Sequence, residues 1–303
     1  MTRNIISYKD GHVYEFAPDM EPVYTAKNGE SVTIVTVDSL NETVQSESDL
    51  IDAIPEEVNA ATGPVAVETA MPGDVLKVEI KDVRVNEKYG RIITAPGFGL
   101  LQNHDDIDHP ATRMTEIADD GEVLYFKDLE VPISPVIGTI GVATSEETIT
   151  TLTPHDHGGN LDTTDMTSGT TAYFPVFQEG AMLALGDSKA AMADGEMCGT
   201  GAEIGTDVDV TVSVIKDSVI NLRRPLVDTG DAWKTIASAK TLEDAIIMAN
   251  EDLIKLLALE HDYSLTEAYL FSSLVGGLEI SQVVDPLVTV RNSVPSEYLS
   301  NPF

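Results

Sequence analysis

The sequence has little positive charge. Its 303 residues hold 18 Lys or Arg against 51 Asp or Glu, a formal charge of −33. Polyanions are bound mostly through Lys and Arg contacts to phosphate and the counterions these release. A surface this acidic repels them over roughly a Debye length, about 8 Å at physiological salt. Nucleic acid and anionic membrane are therefore not expected partners. Cysteine is nearly absent too. Cys198 alone cannot close a disulfide within the chain, and secreted proteins more often carry several, so a cytoplasmic location is expected. Long apolar runs are also missing. The first residues, MTRNIISYKDGH, lack the apolar stretch of about 7 to 15 residues that a signal peptide uses, and no later segment approaches the roughly 18 to 20 needed to cross a bilayer.

Hydrophobic residues make up 42% of the chain, enough for a proper core, so the acidity does not mean disorder. The acids gather in loop-like stretches, such as Glu42 to Glu57 and Asp105 to Glu122, and read as a solvated face that keeps the protein soluble, with salt adaptation as a further reading. The length fits one compact unit over 1–303. It divides into a β-rich part at 1–235, a helical insertion at 241–277 and final strands at 278–290.

Short runs rich in Val, Ile and Thr, broken by turn residues, predict strands at 31–37, 64–69, 76–81, 122–126, 137–143, 148–152, 181–185 and 208–214. In two of them the alternation is explicit: Leu76, Val78 and Ile80 against Lys77, Glu79 and Lys81, and Val208, Val210, Val212 and Val214 against Asp209, Thr211 and Ser213. The fold class expected is mainly β, sandwich-like packed sheets with two α-helices in the C-terminal third. The first helix starts at Thr241, with apolar steps of three and four from Leu242 to Leu257. Ser264 and Glu267 form a capping box for the second, which Gly276 and Gly277 end.

Two glycine-flanked segments concentrate groups that bind metal or move protons. In the first, PHDHGGNLD at 154–162, an extended strand would place His155 and His157 on one face, Gly158 and Gly159 would let the backbone turn, and Asp162 would return to the same mouth. Imidazole with carboxylate suits Zn²⁺ or a similar divalent ion. In the second, Gly186, Asp187, Ser188 and Lys189 follow an apolar strand, with Asp194, Glu196, Cys198 and Glu203 beyond. Inward carboxylates there need an opposing positive charge, from Lys189 or from a metal. Cys198 has no nearby His in sequence to activate it and reads as a small buried residue. Of the isolated histidines, His104 after GFGLL is the one to watch.

Through TGPVAVETAMPGDVLKVEI at 62–80, PGFGLL at 96–101, PISPVIGTIGVAT at 132–144, HGGNLD at 157–162, ALGDSKAAMADGEMCGTGAE at 184–203 and SLTEAYLFSSLVGGLEISQVVDP at 264–286, the chain resembles the acetamidase/formamidase family. That resemblance implies hydrolysis of short-chain amides such as formamide or acetamide to carboxylate and ammonia, a sandwich-like β core, homo-oligomers and a bound divalent metal, Zn²⁺ first, with Ca²⁺ or another ion also open. The family's signature positions fall on His157, Asn160, Asp162, Asp187, Asp194 and Glu196. Similar members usually carry histidine where this chain has Lys189 and glycine where it has Ala193, and an ammonium is a poor ligand while protonated. The expected scheme has His157, Asp162 and Asp187 holding the ion, with His155 as a further ligand. Glu196 is the general base, with Asp194 and Lys189 beside it as catalytic groups. Asn160 and the amides of Gly158 and Gly159 bind the substrate's oxyanion. The competing readings are a non-catalytic metal or small-ligand binding protein on the same scaffold, or a hydrolase of another C–N substrate.

Overall fold

The computed structural model describes residues 4–303. Strand Thr206–Ile215 shows how the sequence builds the fold. Val208, Val210 and Val212 are fully buried and Thr211 and Ser213 half-buried, while Asp209, expected outward, is buried against Thr33 and Arg84, and Val214 is only half-buried. It pairs antiparallel with Glu30–Val35 on one side and Val75–Val85 on the other. These belong to a nine-stranded sheet that continues through Thr171–Pro175, Leu226–Asp228, Ala232–Ala239 and Val288–Pro295 to an edge at Gly277–Gln282. A six-stranded sheet faces it. There Leu183–Lys189 lies between Val136–Gly141 and Ala61–Val67, with Gly158–Asn160 on the outer side of Val136–Gly141. The main core fills the space between the sheets: Val32, Ile34, Leu76, Val78 and Phe174 from one, and Val65, Ile137, Ile140, Leu183 and Leu185 from the other. Two packed, mostly antiparallel sheets of this kind are a sandwich.

The helices cover the outer face of the larger sheet. Helix α1 (Leu242–His261) starts at Thr241, whose side chain accepts from the Asp244 amide, and α2 (Leu265–Val275) starts with the reciprocal Ser264–Glu267 capping box. Leu253, Leu256, Leu257 and Ala268 pack onto Tyr173, Leu226, Trp233 and Val294 of the sheet. Among the described residues no helix is long and apolar enough to cross a membrane.

Three local expectations change. The strand foreseen at 181–185 starts at Leu183 and runs on to Lys189, so the Gly186–Lys189 segment is strand and not a loop after it. Sheet pairing, Ile137 opposite Ser188 and Val136 opposite Lys189, overrides the turn-like composition. Strands at Tyr89–Thr94, Ala111–Ile117 and Ala232–Ala239 had no clear alternation to announce them. The His155–His157 stretch is not extended either. His155 and Gly158 exchange backbone hydrogen bonds of 2.8 and 3.0 Å and close a tight turn.

That turn buries His157, which is 1% exposed. Its ring lies against Phe16 with centroids 4.8 Å apart, and neither ring nitrogen has a hydrogen-bond partner among the described residues. Burial, with the neighbouring His155 adding to it, pulls its pKa from 6.5 down to about 3. The unfolded chain therefore binds a proton here below pH 6.5 that the folded protein refuses, and folding stability falls as pH drops from 6.5 toward 3. Urea unfolding across this range is expected to show a wild-type loss of up to roughly 1.4 kcal/mol per pH unit that His157→Leu lacks. Parallel pH profiles for the two proteins would remove the assignment.

Candidate active site

The register of the six-stranded sheet decides which polar groups meet. Gly186 lies opposite Thr139, and Thr139 on its other side lies opposite Asn160, which brings Asp187, the residue after Gly186, within reach of the Thr139 hydroxyl at 3.5 Å. Beyond Asn160 the chain turns inward, with the Asp162 amide donating to the Gly138 carbonyl at 3.1 Å. Gly138 has no substitute here. A Cβ at that position would overlap the Lys189 ammonium and a carboxyl oxygen of Asp162.

Lys189, 1% exposed, ends in a nest of acids. Its Nζ donates to Asp162 Oδ1 and, at 2.7 Å, to Asp187 Oδ2, with Glu196 Oε1 at 3.4 Å and Glu203 Oε1 at 3.9 Å. Asn59 Nδ2 also donates to Asp187 Oδ2, at 3.2 Å. Asn160 accepts from the Thr139 hydroxyl at 2.6 Å and donates to Asp285 Oδ2 at 2.9 Å, adding a fifth carboxyl behind the four. Burial is the main force on these groups, and it raises the carboxyls of Asp187, Glu196 and Asp285 well above their ordinary values. The nearby charge of Asp162 pushes each the same way, while Lys189 opposes. For Lys189 burial acts downward, but the surrounding Asp162, Asp187, Glu196 and Glu203 outweigh it and hold the ammonium protonated.

The backbone is under tension at the same place. Asp162, Asp187 and Glu196 have φ of 40°, 52° and 43°, in the left-handed region. Such conformations cost of order 1–3 kcal/mol each and persist only where the surroundings over-determine them. Arg291, fully buried, provides part of that restraint. Its guanidinium donates to the hydroxyls of Thr163 and Thr164 and to Asp165 at 2.8–2.9 Å, and to Asp194 at 2.5 Å. One side chain thus ties the segment after Asp162 to the segment before Glu196.

The cluster floors a cavity of about 30 Å³, walled by Leu40, Ile54, Val58, Ile93, Phe98 and Leu152. A single water needs about 10–15 Å³, so the space suits only a molecule of a few heavy atoms.

The structure brings together Asn160, Asp162, Asp187, Lys189 and Glu196, as the two sequence segments suggested. It does not add the others. His155 and His157 line a separate cleft with Glu146 and Glu147. The His157 carbonyl pairs with the Val142 amide, four strand positions beyond Gly138, or about 13 Å along the sheet. Gly158 and Gly159 are not cavity residues. They serve close packing, since a Cβ at Gly158 would overlap the Ile140 carbonyl, and the Gly158 amide is spent on His155. Asp194 faces Arg291 and Thr164 outside the cavity. Cys198 lines an outer cleft, its thiol donating to the Thr200 carbonyl at 3.3 Å, and His104 is exposed. Sequence reasoning gave no role to Asn59, Gly138, Glu203, Asp285 or Arg291. Glu203, inside the GTGAE run, was among the acids noted there, and Gly138 and Asp285 lie within family-like segments without a role of their own.

The expected ion ligands His157, Asp162 and Asp187 do not converge. The point where Asp162, Asp187, Glu196 and Glu203 do converge holds the ammonium of Lys189. Among the described residues no group of three or more His, Cys, Asp or Glu side chains is arranged to hold a metal ion. This donor set fits a resident ammonium and does not fit a divalent ion at the same point.

Comparison with known proteins places this architecture. The pattern of the Acetamidase/Formamidase family matches residues 2–151 and 145–299. The crystal structure of an acetamidase from Bacillus halodurans superposes with a TM-score of 0.91 at 37% identity, over 97% of this chain and 98% of that one. A recombinant predicted acetamidase/formamidase from Thermoanaerobacter tengcongensis does so with a TM-score of 0.91 at 40% identity, over 97% and 96%. A formamidase from Methylophilus methylotrophus is 25% identical over 268 residues, and the match spans about two thirds of its length, 66%. With the family pattern matched along nearly all of its length, the chain belongs to the acetamidase/formamidase family.

Proposed function

We propose that this chain hydrolyses short-chain aliphatic amides of the formamide and acetamide type to carboxylate and ammonia in the Lys189 cavity. The observation that carries the reading is the cavity itself: a space for only a few heavy atoms, apolar on its walls and floored by an ammonium among acids. Family membership supports the same chemistry.

Amide hydrolysis needs an activated water, stabilisation of a tetrahedral oxyanion and a proton for the departing nitrogen. Glu196 suits the first and last tasks. Burial and then the Asp162 charge raise its carboxyl, the direction in which a group takes a proton from water and holds it long enough to return it. The water oxygen bonds to the carbonyl carbon, and its proton passes to Glu196. The C–N bond then breaks as Glu196 protonates the nitrogen, and the carboxylic acid loses its proton to ammonia, leaving carboxylate and ammonium. Lys189 supplies the positive charge that the oxyanion requires, a task the glycine amides of HGGN cannot perform from outside the cavity. Asp162 and Asp187 fix the ammonium, and Asn160, locked between Thr139 and Asp285, presents a rigid wall.

Ammonia release from formamide, acetamide and propionamide tests the reading directly, and silence across that panel would favour a small-ligand binding protein instead. Glu196→Gln is expected to lower kcat by at least about 100-fold, the lower end of general-base catalysis. Because Glu196 must be ionised to accept the proton and its carboxyl is raised, the rate is expected to fall on acidification at a pH well above 4.5, the ordinary glutamate value. An acid limb at or below that value would contradict the role. Chelators are expected to leave turnover unchanged, since the convergence point already holds Lys189, and loss of activity on metal removal would overturn that arrangement.

A further inference from the structure

The reaction just described gives no task to Glu203, yet its carboxyl is 1% exposed and faces the cavity. Its backbone is fixed, exchanging hydrogen bonds of 3.0 and 2.9 Å with Arg91. One side-chain oxygen, Oε1, accepts from the Gly201 amide at 2.8 Å. The other, Oε2, is buried with no hydrogen-bond partner among the described residues. Buried acceptors left without a donor are rare in folded proteins and call for an explanation. On a short amide only the nitrogen donates hydrogen bonds, while the carbonyl oxygen accepts and the acyl carbons do neither.

We propose that Glu203 Oε2 is the amide-nitrogen site: it accepts an N–H from an unsubstituted amide and then from the ammonium product, and so orients the substrate. The assignment rests on reading the cavity as an amidase site. With the nitrogen on Glu203, the carbonyl oxygen turns toward Lys189 and the acyl group toward Ile93, Phe98 and Leu152. The nitrogen keeps this partner from bound substrate to product, so the contact is already made in the ground state and its loss shows in KM more than in kcat. Glu203 would therefore select substrates by nitrogen substitution, and free ammonium would compete for the same oxygen.

Acetamide and N-methylformamide are isomers of nearly equal bulk that differ in whether the methyl group sits on carbon or nitrogen. The wild-type protein is expected to favour acetamide by at least about 100-fold in kcat/KM, because N-methylation removes one of the two N–H donors and sets a methyl group against the buried carboxyl in its place. Ammonium chloride is expected to compete with the amide, while potassium chloride at equal ionic strength does not. Glu203→Gln is expected to weaken the ammonium competition and to raise KM more than it lowers kcat, a split that a merely structural role would not produce. Turnover of the two isomers within about threefold, equal inhibition by potassium, or ammonium competition retained in Glu203→Gln would each overturn the assignment. The first two arms use only wild-type protein and stand even if the variant fails to fold. If no amide is turned over, the amidase reading falls separately. Thermal stabilisation by ammonium over potassium, present in the wild type and lost in Glu203→Gln, would still support the nitrogen site, and its absence from the wild type would end it.

Discussion

The site depends on one buried ammonium. Lys189 stands where four carboxyls meet, and without it Asp162, Asp187, Glu196 and Glu203 would face each other across a space of low polarity. Burying one uncompensated charge already costs several kcal/mol. The cluster answers this in two ways: a cation at its centre, and burial that raises the carboxyls of Asp187, Glu196 and Asp285 above their ordinary values. Both answers serve the proposed chemistry, since the first supplies charge for an oxyanion and the second supplies a group that exchanges protons nearer neutrality. The same lysine explains why the donor set does not suit a divalent ion at that point.

Holding this arrangement requires backbone that few residues tolerate. Gly138 leaves the space that the ammonium fills, and Asp162, Asp187 and Glu196 each bend into the left-handed region. Sheet pairing fixes Asp187 and Lys189 within a strand, while Asp162 and Glu196 lie on turns that need outside support. Arg291, from a strand of the opposite sheet, meets Thr163, Thr164, Asp165 and Asp194 and so braces both turns. Asp194 belongs to this brace and not to the cavity.

Much of the fold was legible because it rests on short-range periodicity. The alternation at 76–81 and 208–214 marked two central strands, and the Ser264–Glu267 pair marked a helix start. The strands that escaped notice, such as Ala111–Ile117, carry charged residues at positions that tertiary neighbours satisfy, a context no local pattern records. The site divides in the same way. Two motifs named Asn160, Asp162, Asp187, Lys189 and Glu196, but the H-x-H spacing also drew in His155 and His157, the latter with the family signature as well, because an H-x-H reads as one strand face and only the closed turn shows otherwise. Asn59, Gly138, Asp285 and Arg291 reach the site through contacts between distant parts of the chain, and although Gly138 and Asp285 lie within family-like segments, nothing there marks them as site residues.

The strand that carries Arg291, Val288–Pro295, pairs along its full length with Ala232–Ala239, and helix α1 packs on both. The helical layer is therefore joined to the acid turns through the strands beneath it, by Arg291 and by Lys234, which meets Asp165 at 2.9 Å. Loosening that layer would relax the grip on Asp162 and Glu196 before it disturbed the sheet carrying Lys189, so the periphery of this protein sets how faithfully its chemistry is aligned, and changes on the far face can alter turnover without ever touching a substrate.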